Sequence, residues 1–529
     1  MESIELESTI IENTNATLDK PERDKPERDK SEKVPVAEKV FPVFDKATLN
    51  VLRNVTIDDA LAVQQAAKRA RAAQPAWAAL SPKERGRLLK KARKEMVKAR
   101  HEIITALGLE TGKSPIDTYG EFFGVCQDIG HLAKHAPRWL KPQHTHTRPL
   151  FGKKGLIFYK PYGVVGVIAP WNAPLNLAIG DVLPALMAGN TAIVKPSEIT
   201  PLAVNLAIGA LNRVLPKGVL QVINGYGQTG AALVEQVDMI AVTGSCETGK
   251  RVMEAASKNL IPVLLELGGK DPMIVLQDAD LDRAARAAAW GSCFMTGQVC
   301  MSIERIYVEN AVAKEFQAKL VEQLRQLRTG PQLSTEQMDY GPFIGSNQIN
   351  IVEDHLQDAL ARGAKLVIGG QRIQAQESGI YFAPTLLTDV DHSMKIMTEE
   401  TFGPVAGLMV VNNATEAIAL ANDSKYGLSA SIWTRDIPRG IAFANQLESG
   451  NVCINDCILS AGVPSLPFGG VKQSGVGSRH GGADGVRVFC QKQSIMVEQR
   501  ARKSEFSWFP YAAKTPKQLD KIIGLLYGW

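Results

Sequence analysis

Val164-Val165-Gly166-Val167-Ile168, Thr191-Ala192-Ile193-Val194, Leu220-Gln221-Val222-Ile223 and Ile240-Ala241-Val242-Thr243 are short apolar runs rich in β-branched residues, separated by stretches of helical periodicity. Strands buried on both faces read as nearly continuous apolar runs, and strands alternating with helices build a parallel, doubly wound sheet. A second series, Met273 to Leu276, Arg305 to Val308 and Leu408 to Val411, begins after Glu266. The expected fold class is α/β, with two α/β domains meeting near residue 268.

Upstream of these runs the pattern is helical. Thr56 before Ile57-Asp58-Asp59 reads as an N-cap with an acidic first turn, and Ser81-Pro82-Lys83-Glu84 as a capping box with Pro at the first helical position. These caps open long helices expected to run through about 76 and about 107. Residues 1–40 stand apart, because Pro21-Glu22-Arg23-Asp24-Lys25 repeats at once as Pro26-Glu27-Arg28-Asp29-Lys30 and nothing there can build a core; they read as a disordered charged leader.

Composition narrows the function classes. A chain of 529 residues with 45% hydrophobic and 22% charged side chains is ordinary globular protein, long enough for two or three domains. A net charge of +5 is small for this size and the basic residues are scattered, so no nucleic-acid partner is implied. Seven widely spaced cysteines, unclustered with His, suit a reducing compartment and give no metal site. With no run of eighteen apolar residues and no basic-then-apolar start, the reading is cytoplasmic, with membrane association left open.

Five places carry chemistry. Gly297-Gln298-Val299-Cys300 and Glu266-Leu267-Gly268-Gly269-Lys270 present a candidate nucleophile and a candidate base among glycines; a free thiol is only a few per cent ionised at neutral pH and needs such a base. The strand 240–243 runs into Gly244-Ser245-Cys246-Glu247-Thr248-Gly249-Lys250 and then a helix, a setting in which free N–H groups and the helix dipole stabilise phosphate. That stretch matches a Walker A loop up to its Lys, but Arg251 replaces the magnesium-binding Ser or Thr, which argues against a P-loop NTPase. Lys195-Pro196-Ser197-Glu198 offers an ammonium donor and a carboxylate acceptor for ribose hydroxyls, and Glu198 would repel a 2′-phosphate. Asn172, between Pro170 and Pro174, is a rigidly held amide.

Pro170-Trp171-Asn172, Lys195 to Glu198, Thr243-Gly244-Ser245, Glu266 to Lys270, Gly297 to Cys300, Glu399-Glu400-Thr401-Phe402-Gly403-Pro404-Val405 and Pro467-Phe468-Gly469-Gly470 together resemble the aldehyde dehydrogenase superfamily, in its order and spacing across about residues 55–500. The resemblance implies a Rossmann-like cofactor domain over 41–267, interrupted by a β flap at about 141–160, then a catalytic domain over 268–475, a returning oligomerisation strand over 476–500 and a hydrophobic tail over 501–529. It implies oxidation of an aldehyde with NAD, NADP being possible, by a Cys300 thiohemiacetal and thioester. In that mechanism Asn172 is the oxyanion donor and Glu266 the base that activates water. Trp171, Lys195, Glu198, Gly244, Ser245, Gly249, Leu267, Glu400 and Phe402 fall on its cofactor contacts, and a homodimer or homotetramer is expected.

Departures bear on the substrate. Phe294 stands six residues before the thiol, where relatives that grip a distal carboxylate commonly carry Arg, and an unpaired buried carboxylate costs several kcal/mol. With Val299, Met301 and Ile458 it predicts a pocket for an apolar aldehyde, of medium or long chain, aromatic or terpenoid. The alternative is succinic semialdehyde, because Ser302-Ile303-Glu304-Arg305-Ile306-Tyr307-Val308 is similar to some bacterial members assigned to it. A CoA-acylating enzyme and a non-catalytic member are disfavoured by intact Cys300, Glu266 and Asn172. After the last expected strand, Val486 to Val497, the tail holds Phe506-Ser507-Trp508-Phe509-Pro510-Tyr511 and Leu519 to Trp529 beside Lys514, Lys517 and Lys521; it suits either a membrane surface or packing on the protein or a dimer partner.

Overall fold

The structure is a computed structural model that describes residues 39–147, 150, 152–331, 337–374, 378–500, 502–505 and 507–528. The leader up to residue 38 and the tail residues Phe506 and Trp529 lie outside the described residues.

Among the described residues two large sheets dominate. The first runs Gly475–Val476, Val263–Glu266, Met239–Thr243, Val164–Ile168, Thr191–Lys195, Leu220–Val222, and only the Gly475–Val476 edge is antiparallel. The four runs read from the sequence are thus adjacent strands, and the chain returns more than two hundred residues later to close the edge beside Glu266. Val164, Val165, Ala192, Ile193, Val194, Ile240 and Ala241 are buried, as strands covered on both faces must be. The second sheet runs Lys365–Ile368, Thr385–Thr388, Val405–Val411, Ile303–Glu309, Asp271–Val275, Ser429–Trp433, Asn451–Ile454, parallel except at the Lys365–Ile368 edge. A three-stranded sheet joins Cys490–Glu498, Lys153–Pro161 and Gln143–Thr145.

Buried carboxylates seat the helices of the first body. Glu110 accepts the N–H groups of Leu202 and Ala203 at 2.7 and 2.9 Å, and Glu121 those of Leu175 and Asn176 at 2.8 and 3.0 Å. Each thereby satisfies orphan donors at the start of a helix, Leu202–Leu211 and Pro174–Ala188, from a different segment of chain. Burial raises Glu110 to about 8, whereas Glu121 is paired with Lys113 at 2.6 Å.

Local expectations meet three corrections. Thr56 is not an N-cap: it ends the strand Val51–Thr56, whose pairing with Val40–Phe44 claims its backbone, and Asp59 caps the helix Ala60–Ala79 by accepting from Ala62 at 2.9 Å. The helix from Pro82 stops at Lys98 and a separate helix, Arg100–Thr111, follows. Val486 lies in the helix Ala483–Arg487, so the last strand starts at Cys490. The capping box at Ser81 is present as read, with Ser81 N–H donating to Glu84 at 2.8 Å and Glu84 N–H to Ser81 Oγ at 3.3 Å.

One buried ion pair ties the second sheet to the loops above it. Lys270 and Glu304, both almost fully buried, are in direct hydrogen-bonded contact, and Lys270 also donates to Thr401 Oγ1 at 2.9 Å. Removing one partner of such a pair strands a buried charge. Lys270→Met is expected to destabilise the protein by about 3–5 kcal/mol, read as a lowered denaturant midpoint; an unchanged midpoint would show that the pair holds nothing.

Candidate active site

Cys300 follows a turn that only tertiary contacts can hold. Met295, Thr296 and Gly297 all have left-handed backbones, with φ of 51°, 62° and 69°, a conformation costing a non-glycine residue roughly 1–2 kcal/mol. Thr296 Oγ1 donates to Gly341 O at 2.9 Å, and Gln298 Oε1 accepts from Ile344 N–H at 3.1 Å. Gly297 is required twice over, since a Cβ there would also lie 2.1 Å from Gly403 O.

The second motif backs against the first. A Cβ on Gly269 would lie 2.2 Å from Cys300 O, so the two glycine-rich segments meet backbone to backbone. Asn172, almost fully buried, donates from Nδ2 to Gln298 O at 2.9 Å, which orients its amide beside the thiol and leaves its second N–H uncommitted by that bond. Cys300, Asn172, Phe294, Val299, Met301 and Ile458 all line one cavity of about 460 Å³. Glu266 ends the strand Val263–Glu266 and is 3% exposed; it does not line that cavity but lies behind Arg479, which does. The Arg479 Nε sits 3.9 Å from Glu266 Oε1. Burial raises Glu266 to about 8, with Asp181 adding and Arg479 opposing. Burial also pushes the Cys300 thiol up, reinforced by the Glu400, Asp271 and Glu266 carboxylates, so sulfur must shed its proton as it reacts.

Most of the proposed cofactor residues follow the carboxyl ends of the first sheet's strands Val164–Ile168, Thr191–Lys195, Met239–Thr243 and Val263–Glu266. Ser245 caps the helix Cys246–Ser257, accepting from Thr248 at 3.2 Å, and a Cβ on Gly249 would lie 2.6 Å from Leu267. The strand Met239–Thr243 therefore delivers a small-residue turn and a helix start to the carboxyl end of the sheet, where a Cβ on Gly244 would meet only Thr248, at 3.9 Å. Lys195 ends its strand 3.6 Å from Glu198. Glu400 accepts from Gly269 N–H at 3.0 Å and packs where Gly268 lacks a side chain. Phe402, at φ 56°, stands edge-on to Trp171 with ring centres 5.5 Å apart. A capped helix start after a small-residue turn, an ammonium paired with a carboxylate and an aromatic pair are groups that a dinucleotide can use.

Residues 34–495 match the model of the aldehyde dehydrogenase family. The chain belongs to that family. It is 40% identical over 471 residues to a 4,4'-diapolycopene aldehyde oxidase of Methylomonas, covering 88% of this chain and 87% of the relative. It is 38% identical to a putative NADP-type succinate-semialdehyde dehydrogenase of Mycolicibacterium smegmatis, covering 87% and 89%. Among solved structures, the putative aldehyde dehydrogenase PutA of Anabaena variabilis superposes with a TM-score of 0.85 at 36% identity, over 89% of this chain and all of that one. The Staphylococcus aureus betaine aldehyde dehydrogenase with NAD+ does so at 0.83 and 31%, over 89% and 93%. This aldehyde dehydrogenase is thus an NAD(P)-dependent oxidoreductase with the α/β fold of its family.

Two residues beside the candidate base escaped the sequence reading: Arg479, 4% exposed, and Asp181, 1% exposed. Asp181 was detectable as the acidic residue inside the otherwise apolar helix Pro174–Ala188, whereas Arg479 carried no local signal. For the turn before the thiol, Gly297→Ala is expected to abolish NADH formation while far-ultraviolet dichroism stays native; near-normal turnover would mean the Gly403 contact relaxes freely.

Proposed function

We propose that this aldehyde dehydrogenase oxidises a long lipophilic aldehyde, of fatty or terpenoid type, to its carboxylic acid. The observation that carries this reading is the cavity at Cys300. Its walls are largely aliphatic and aromatic, and where a side chain could fill it stand Gly120, Gly180 and Gly462, whose added Cβ atoms would meet nothing within 4 Å. Its charged lining favours a neutral chain: Asp117, Glu121 and Asp128 are acidic, and Arg479 is already 3.2 Å from Asp181. Burial lowers His480 to about 4, so the imidazole supplies no cation at neutral pH. The relative named for 4,4'-diapolycopene aldehyde supports a long apolar chain; the relatives named for succinate semialdehyde support the second reading. A dicarboxylate half-aldehyde would bring an anion to carboxylates without a free partner, and burying it unpaired costs several kcal/mol.

In this reading the Cys300 sulfur bonds to the aldehyde carbon and its proton passes toward Glu266. The carbonyl electron pair moves to oxygen, where the free N–H of Asn172 and the Cys300 backbone N–H stabilise it; one such donor is worth roughly 3–4 kcal/mol. Bound NAD(P)+ supplies the hydride acceptor, and Lys195, Glu198, Ser245, Gly249, Glu400 and Phe402 would hold it. Glu266 gives that proton up to solvent, then takes a proton from water as the hydroxide oxygen adds to the Cys300 thioester, and sulfur leaves as thiolate. The strand set of 41–267 serves as the cofactor body and that of 268–475 as the catalytic body. Glu198, an acceptor for ribose hydroxyls, favours NAD over NADP.

Two surfaces extend the reading. Cys490–Glu498 and Gln143–Thr145 are the edges of their three-stranded sheet, and most residues of Cys490–Glu498 are exposed, which suits pairing with a second copy in a dimer or tetramer. Among the described residues no helix is long and apolar enough to cross a membrane. The helix Thr515–Tyr527 buries none of its residues, and Phe509 and Leu525 are 82% and 74% exposed near Lys514, Lys517 and Lys521. Aromatic and aliphatic groups beside lysines fit an anionic lipid surface.

With an aldehyde panel, kcat/KM is expected to be higher for decanal and a terpenoid aldehyde than for succinic semialdehyde, higher with NAD than NADP, and lost in Cys300→Ala. Preference for succinic semialdehyde would overturn the cavity argument. Co-sedimentation with phosphatidylglycerol vesicles is expected for the full chain and lost on deleting 507–529; equal binding by both, or a tail that alters only oligomer size, would refute the lipid reading.

A further inference from the structure

The base assigned above is not alone. Arg479, on the short strand Arg479–His480, stands between the cavity and Glu266. Its Nη2 donates to Thr243 Oγ1 at 2.7 Å and lies 3.2 Å from Asp181 Oδ2, while its Nε is 3.9 Å from Glu266 Oε1. Neither oxygen of Glu266 accepts a hydrogen bond from the protein, and nor does the Arg479 Nε donate one. One guanidinium thus faces two buried carboxylates: Asp181 from the helix Pro174–Ala188, and Glu266 from the strand Val263–Glu266. The backbone around it is over-determined. His480 has φ 58°, and a Cβ on the facing Gly485 would lie 1.7 Å from its carbonyl oxygen. Left-handed conformations at non-glycine residues persist only where surrounding contacts impose them, and they gather at functional sites.

We propose that Arg479, clamped by Asp181 and Thr243, is a positioning residue that holds Glu266 at its post and supplies the counter-charge against which Glu266 works as a base. The proposal rests on the role given to Glu266 under the thiol mechanism. Three titratable side chains, Asp181, Arg479 and Cys300, bear on the base, with His480 next to Arg479 in the chain. A buried carboxylate left to itself keeps its proton; the guanidinium favours the ionised form and Asp181 opposes it. Arg479 stops 3.9 Å short of Glu266 and gives its short contacts to Thr243 and Asp181, so the base is biased toward ionisation without being locked in an ion pair that would quench it. The same commitment to Asp181 removes Arg479 as a grip for a substrate carboxylate.

The two neighbours predict opposite effects, which a merely structural role would not produce. The protonation midpoint of Glu266 is read without turnover from the carboxyl infrared difference between each protein and its Glu266→Gln counterpart. Arg479→Met is expected to move this midpoint up by about 1–3 pH units, Asp181→Asn to move it down, and Arg479→Lys to return it toward the native value. In stopped flow, the pH at which the first-turnover burst of NADH and thioester hydrolysis each half-rise in Arg479→Met is expected to follow the infrared midpoint. Unmoved midpoints in Arg479→Met and Asp181→Asn overturn the proposal. So does a Glu266 midpoint unmoved in Arg479→Met while KM for succinic semialdehyde alone rises, which would make the guanidinium a substrate clamp. Absence of any NADH burst in the native protein would instead refute the Cys300 reading, leaving the infrared titration to judge Arg479.

Discussion

The Glu304 carboxylate is the constraint on which the rest of the site depends. It lies inside the second sheet, where it meets Lys270 and accepts the N–H groups of Thr401 and Phe402 at 2.9 and 2.8 Å. It thereby joins three separated segments: the loop after Glu266, its own strand, and the loop carrying Glu400 and Phe402. Arg305, its neighbour, donates to Lys270 O at 2.8 Å and so fixes the same loop from the other side. With that loop fixed, Gly269 can lie against the carbonyl of Cys300, and Glu400 against Gly268 and Gly269. A buried charge pair is a costly way to stabilise a core, but it has a unique geometry that apolar packing lacks. Here that geometry sets the distance between the thiol and the carboxylates around it.

The cavity follows a complementary rule. Its floor is fixed by hydrogen bonds at Asn172, Gln298 and Thr296, and its length by absent side chains, at Gly120 and Gly180 on two helices and Gly462 beyond them. Of the charges that line it, Glu121 is answered by Lys113 and Arg479 by Asp181, while Asp117 and Asp128 form no ion pair among the described residues. An apolar chain can enter such a space without disturbing a pair, whereas an anion must break one or stay unpaired.

Much of this was legible in the chain itself. The four runs from Val164 to Thr243 are neighbouring strands of one sheet, and Met273 to Leu276, Arg305 to Val308 and Leu408 to Val411 fall in the other, because apolar runs of β-branched residues betray burial on both faces. Ser81 and Glu84 form their capping box because every atom of it lies within four residues. Asn172, Phe294, Val299, Met301 and Ile458 share a cavity with Cys300. The N-cap at Thr56 failed for want of the same locality: its backbone pairs with Val40 across an antiparallel two-stranded sheet, and Asp59, itself a good cap, stands three residues on.

What stayed hidden shares one cause. The burial of Glu304, Arg305 and Glu309 carried no local signal: all seven residues of Ile303–Glu309 are buried because these side chains find their partners, Lys270, Thr401, Leu420 and Gln277, elsewhere in the chain. Arg479 lies 213 residues from Glu266 and 298 from Asp181 in sequence, and becomes their neighbour only because Gly475–Val476 returns to the open edge beside Glu266. By itself the sequence determined what depends on nearby residues: which segments are strands or helices, where turns need glycine, and which side chains have the chemistry to act. The tertiary structure alone decided which buried charges face one another, because electrostatic pairing acts through space and a one-dimensional pattern does not record which faces will meet.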